Sequence, residues 1–180
     1  NGVVLFVGVQ SNQFPRTMDI ARKFRDENIQ VAIGGFHTSG CIAMLPQLPE
    51  ELKEATEAGI TLFAGEAEEG RLINVLKDAY QRKMKPLYNF LGDLPGLEGQ
   101  PMPITPTSVA KRLVSKIGCV DAGRGCSFLC SFCTVINVQG RKSRYRNPDD
   151  IEKLIRSNLS NDINDFFLTD DNFARNKNWE

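Results

Sequence analysis

Cys126, Cys130 and Cys133 stand in the run Gly125-Cys126-Ser127-Phe128-Leu129-Cys130-Ser131-Phe132-Cys133. The spacing, C-x₃-C-x₂-C, puts three thiols on one short loop. Three thiolates can hold three irons of a cubane iron–sulfur cluster and leave the fourth iron open. An open iron can bind a small molecule and act on it, so the pattern points to catalysis. Two other readings stand beside it. Zinc sites usually pair C-x₂-C knuckles and need a fourth ligand, for which the chain offers only Cys41, Cys119 and His37. Inert packing is the other, and Cys119, within the strand before the loop, is expected to pack as a small apolar side chain.

The elements that must position this loop alternate along the chain. Val3 to Val9 reads as a buried strand, continuous and β-branched. A helix is expected from Pro15, favoured in a first turn, to Asn28, with Met18, Ala21 and Phe24 toward a sheet. Val31-Ala32-Ile33 is a second strand, stopped by Gly34-Gly35. Pro49 to Ala58 reads as a helix stopped by Gly59. Ile60 to Phe63 is a third strand. Glu66 to Lys83 is a helix with Leu72, Val75, Leu76, Ala79 and Tyr80 on one face. Such alternation argues an α/β protein with a parallel sheet covered on both faces, a partial Rossmann-like doubly wound sheet over residues 1–84. Residues 85–111 hold Pro86, Pro95, Pro101, Pro103 and Pro106 with Gly92, Gly96 and Gly99, which predicts a linker laid along a surface.

The alternation restarts over residues 112–180. A strand within Leu113–Val120 leads into the cysteine loop. Asn147-Pro148 caps a helix that buries Ile151, Leu154 and Ile155. Phe166-Phe167-Leu168 is the next strand, ending at Asp170-Asp171. This reads as the beginning of a (β/α) TIM-type barrel, whose chemistry sits at the carboxyl ends of strands. The cysteine loop and the acidic pair both fall at such ends.

Composition narrows the partners. The chain has 180 residues with 22 basic and 22 acidic side chains, hence no net charge to favour nucleic acid or a polybasic membrane patch. No apolar run approaches the roughly 20 residues of a membrane helix. Five cysteines, unevenly spaced, make a poor disulfide framework, and a reducing cytoplasm is the expected setting. The chain opens inside a strand and stops as a helix starts, so it reads as a fragment without a signal peptide.

The C-x₃-C-x₂-C run, with Phe132 before its last cysteine and Arg124-Gly125 before its first, resembles the signature of the radical S-adenosylmethionine (SAM) enzymes. That resemblance implies a 4Fe–4S cluster on Cys126, Cys130 and Cys133, with the SAM amine and carboxylate on the open iron. It also implies reductive cleavage of SAM to a 5′-deoxyadenosyl radical, fed by an electron donor such as flavodoxin or ferredoxin. By the same match Phe132 lies beside the adenine, or simply packs under the loop. Asp170 and Asp171 stand where the family contacts the SAM amine, although the family's glycines are absent; the other reading is an acidic helix cap. Arg141, Lys142, Arg144 and Arg146 either neutralise the cluster and grip the SAM carboxylate or form a solvated basic face.

The glycine turns of the first half resemble those of cobalamin-binding domains fused to radical SAM domains. Gly34 and Gly35 match the glycine pair beside which the nucleotide tail is buried, Gln10 and Ser11 the turn near the tail, and Gly65-Glu66 the third turn. His37 is not assigned to cobalt, since the D-x-H-x-x-G pattern is missing; it is expected to make a polar contact to the corrin or the interdomain surface, or to bond within its turn. The resemblance therefore implies cobalamin as second cofactor and methylation of an unactivated carbon on a small-molecule or lipid-like substrate. Two alternatives remain: a methylthiotransferase, whose three further cysteines are absent here apart from Cys41, and a cobalamin or iron–sulfur sensor without turnover.

Overall fold

In a computed structural model, residues 2–173 of the chain are described, and they divide into two units. The first runs to Pro95 and also takes in Cys130–Gly140; the second comprises Gly96–Leu129 and the chain from Arg141 onward.

The first unit is built on a parallel sheet. β1 (Val3–Phe6) is followed by α1 (Phe14–Asp26), β2 (Gln30–Gly34), α2 (Phe36–Met44), α3 (Glu50–Glu57), β3 (Thr61–Ala64), α4 (Arg71–Tyr80) and β4 (Leu87–Asn89). The strands lie in the order β1-β2-β3-β4, all parallel, with Val4 opposite Val31 and Ile33 opposite Leu62. Because all four run the same way, the turns after them share one edge.

The strands form where continuous apolar runs predict them, but β1 ends early. Gly8 takes a left-handed φ of 71°, and the Val9 N–H leaves the ladder to donate to Gly34 O at 3.0 Å. Met18 and Ala21 of α1 are buried as expected, with Leu52 and Ala55 of α3 beside them and Val31, Ile33, Ile60 and Leu62 below. α4 is shorter than its periodicity suggests, because Gly70 turns left-handed at its start. Only Val75 and Ala79 of the predicted face are buried; Tyr80 is 86% exposed.

Neither α2 nor β4 was foreseen. α2 forms in what reads as a glycine turn. β4 forms inside the predicted linker, where Tyr88 is buried and its hydroxyl meets Asp78. Three residues suffice because β4 only extends an existing edge.

In the second unit a short α5 (Thr107–Ala110) precedes β5 (Ile117–Val120) and β6 (Gly123–Arg124). α6 (Thr134–Val138), which counts with the first unit, comes next, then β7 (Arg144–Tyr145), α7 (Pro148–Leu159) and β8 (Asp165–Leu168). β5 pairs parallel with β8, Gly118 opposite Phe166, with α7 as the connecting helix. This is one β–α–β step, the opening of the expected barrel-type array. The short antiparallel ladder of β6 and β7 joins the two arms of the intervening segment. Asn147 caps α7 through its side chain, accepting from the Asp149 N–H at 3.1 Å, and Leu154 is fully buried.

Cys119 departs from expectation. The β5 pleat sends Gly118 and Val120 inward, so Cys119 is exposed instead of packed.

The proline-rich stretch is pinned along α7 by side chains. Gly99 N–H donates to Asp150, Thr105 N–H to the fully buried Asn158, and the Asn161 amide donates to Thr105 O. No helix among the described residues is long and apolar enough to cross a membrane.

Candidate functional site

In the second unit, the end of β8 is tied to the approach to Cys126. Asp170 accepts the Ala122 N–H at 2.8 Å, and Asp171 accepts the Gly125 N–H at 3.0 Å. Each carboxylate thus holds backbone of the segment leading into the cysteines, while the helix that the acidic pair was expected to cap lies outside the described residues. Burial pushes both carboxyls above the ordinary range, while the N–H donors pull the other way. A carboxylate has lone pairs left after one such bond and can still accept from an ammonium.

Asn172, which sequence reasoning passed over, donates from Nδ2 to Cys126 Sγ at 3.3 Å. Its signal was only its place after the acidic pair.

The basic residues separate. Arg141 and Lys142 are exposed and Arg144 lies half-buried in β7. Arg146 is a correction to both earlier readings. Its side chain is 1% exposed and fully engaged inside the unit, so it neither faces solvent nor reaches for a ligand. It donates to Asp121 O at 2.9 Å, Gln100 O at 3.2 Å, and Leu97 O and Pro101 O at 3.4 Å, and pairs with the Asp121 carboxylate at 3.3 Å. Arg124 shares that carboxylate at 3.0 Å.

Cys126 belongs to the second unit, Cys130 and Cys133 to the first. Cys133 N–H donates to Cys130 O at 3.1 Å, and the Asn137 amide donates to Cys133 O at 2.9 Å. Cys130 is exposed, the other two half-buried, and none is in a disulfide. Three free thiols in this spacing fit a cluster with an open iron. Phe132 is 83% exposed in this structure.

At the carboxyl edge of the four-stranded sheet, Gln10 and Ser11 form an exposed turn after β1, and Gly34, Gly35 and Gly65 follow β2 and β3. Gly35 has φ 140° and ψ −172°; a Cβ there would sit 2.2 Å from Val9 N. A Cβ on Gly65 would meet Phe90 C at 2.9 Å. These glycines are demanded by neighbouring backbone of the fold itself. The turns lie beyond the carboxyl ends of the strands, where open α/β sheets bind their ligands. Glu66 is buried, and its carbonyl accepts from Arg71.

His37 does not present a polar edge outward. It is 7% exposed, its ring lies on Phe14 at 4.3 Å, Nδ1 is 3.1 Å from Ser11 Oγ and Nε2 is 3.2 Å from Glu51.

No family model matches the chain. Among curated proteins it is 29% identical to bacteriochlorophyllide d C-8(2)-methyltransferase of Chlorobaculum tepidum, over 97% of this chain and 40% of that protein. It is 24% identical to hopanoid C-2 methylase of Rhodopseudomonas palustris, over 96% of this chain and 31% of that protein. A Methanocaldococcus jannaschii protein provisionally named a methylthiotransferase is 23% identical over 78% of this chain and 30% of its own length. The chain therefore spans well under half of each relative.

Two solved structures of TsrM, a radical S-adenosylmethionine methyltransferase from Kitasatospora setae, share the fold. One, with tryptophan and a SAM analogue, has TM-score 0.63 and 15% identity, covering 96% of this chain and 36% of that one. The other, with cobalamin and a [4Fe-4S] cluster, has TM-score 0.59 and 16% identity, covering 95% and 38%. The fold is a partial Rossmann-like sheet followed by the start of a barrel-type array. In motif, relatives and fold, the chain resembles the cobalamin-binding radical SAM enzymes.

Proposed function

We propose that the protein containing this chain is a cobalamin-dependent radical SAM methyltransferase acting on an unactivated carbon of a small-molecule or lipid-like substrate. The observation that carries the reading is the C-x₃-C-x₂-C loop of free thiols, entered through backbone that Asp170 and Asp171 hold. Residues 1–84 are read as part of the cobalamin-binding domain, 85–111 as linker and 112–180 as the start of the radical SAM domain. The names of the relatives support methyl transfer.

When bound, the cluster supplies one electron to SAM, which yields the 5′-deoxyadenosyl radical, and cobalamin supplies the methyl group. The chain's own part is placement. Cys126, Cys130 and Cys133 hold the cluster. Asp170 and Asp171 offer remaining lone pairs to the SAM ammonium, and the exposed Phe132 ring offers an apolar face to the adenine. The turns at Gln10, Ser11, Gly34, Gly35, Gly65 and Glu66 lie along the corrin's nucleotide tail, chiefly through backbone. His37 acts behind them through Ser11. We read the protein as cytoplasmic, served by a flavodoxin- or ferredoxin-like donor and without a nucleic-acid partner, in keeping with the balanced charge.

The test is anaerobic reconstitution of the full-length protein, followed by SAM under a strong reductant. 5′-Deoxyadenosine is expected from the parent and none from Cys130→Ala. Cofactor binding without that product would mean a sensor, and a methylthiolated product would mean the methylthiotransferase. The latter is disfavoured because Cys41 is the only cysteine of residues 1–84.

Asn172 gives a further expected outcome. An N–H donated to a ligand sulfur favours the reduced, more negative cluster. Asn172→Ala should therefore move the midpoint potential to more negative values in an EPR-monitored titration while iron content stays that of the parent.

A further inference from the structure

Away from the cysteine loop, three metal-ligating groups of different chemistry meet in the first unit. His37 and Cys41 lie four residues apart on α2, hence on one face, and Glu51 comes from the first turn of α3. Their ligand atoms all lie within 4.8 Å of one another. We propose that His37, Cys41 and Glu51 form a site for a divalent zinc-class ion, with a fourth position open to water.

The argument begins with the imidazole. Its Nε2 is buried, and Glu51 Oε1, although 3.2 Å away, is not in hydrogen-bonding geometry with it. That atom is orphaned inside a side chain 93% removed from solvent, and such an orphan is costly. The ring's other nitrogen faces Ser11 Oγ. If Nδ1 donates its proton there, Nε2 carries the lone pair, aimed at a carboxylate and a sulfur. Two acceptors facing each other repel unless a cation stands between them. A metal ion removes the conflict.

The donor set suits that ion. Imidazole nitrogen, thiolate and carboxylate are all zinc ligands, at about 2.0–2.3 Å. Closing to those lengths is left to Glu51, whose side chain is 55% exposed and can rotate. The Ser11 contact is the outer hydrogen bond that fixes the tautomer of a metal-bound histidine. Cys41 binds as the thiolate, its thiol proton passing to solvent. The bound ion then carries one thiolate, one carboxylate and one neutral ring, for zero net charge. The site is separate from the iron loop but shares His37 and Ser11 with the corrin reading given above, so its test is made without corrin.

The test uses the full-length protein with Cys126→Ala, Cys130→Ala and Cys133→Ala, prepared without corrin and titrated with Co²⁺ as a spectroscopic stand-in. A thiolate-to-cobalt charge-transfer band should grow to one equivalent and be bleached by Zn²⁺. Cys41→Ser should abolish the band. Ser11→Ala should keep the band and weaken affinity about tenfold, and Glu51→Gln should weaken it at least as much. Glu51 is exposed, and Cys41 is half-buried at the edge of the core, where serine is close to it in size. Absence of the band in the parent overturns the site. So does a band that survives Cys41→Ser, which would report the exposed Cys119.

Discussion

Replacing Arg146 by methionine is expected to destabilise the second unit by about 3–5 kcal/mol, the usual cost of breaking a buried ion pair from one side. The methionine fills similar space, so the loss is electrostatic and not a cavity. Four carbonyl contacts would vanish together, at Leu97, Gln100, Pro101 and Asp121. The Asp121 carboxylate, 20% exposed, would lose Arg146 and keep Arg124. Denaturant unfolding followed by far-UV circular dichroism measures the effect. The double variant Asp121→Asn, Arg146→Met should recover part of the loss, because it removes the abandoned charge as well. A single variant within about 0.5 kcal/mol of the parent, the range of ordinary surface changes, would show that the clamp adds nothing.

Gly35→Ala should be almost as damaging, for a different reason. Its backbone lies in a region that essentially only glycine occupies, costing other residues about 1–3 kcal/mol. The new methyl would also lie 2.2 Å from Val9 N and 2.6 Å from Val9 O, both rigid backbone. Overpacking of that kind adds about 1–3 kcal/mol. The sum, roughly 2–6 kcal/mol, is a large share of a domain's typical 5–15. Gly2→Ala is the control: nothing lies within 4 Å of its added Cβ, and it should stay within about 0.5 kcal/mol. Equal denaturation midpoints for the two variants would refute the account.

Much of this was legible because the signals were local. Val31-Ala32-Ile33 and Ile60–Phe63 are continuous apolar runs, and only a doubly covered parallel strand uses such runs well. Asn147-Pro148 is a capping signal read from adjacent residues. The cysteine spacing and the acidic pair after β8 carried the site the same way.

What was missed depends on distant partners. α2 contains Thr38, Ser39 and Gly40, poor helix formers, and it forms because His37 through Gly40 are buried against the unit. Arg146 read as one more charge in a basic run, since nothing local marks the carbonyls it collects. Gly35 matched a ligand-side glycine pair, and nothing local marked that its close neighbour is the chain's own Val9. Cys41 and Glu51 had no pattern in common until two helices brought them to His37.

The seam between the proline-rich stretch and α7 has a dynamic consequence. Gly99 and Thr105 lie outside any ladder, in a segment whose prolines carry no amide hydrogen of their own. Yet their two N–H groups end on Asp150 and Asn158, side chains of a packed helix. The Thr105 N–H, held by the fully buried Asn158, is therefore expected to take up deuterium with the cooperative opening of α7 rather than with the fast breathing of a surface loop.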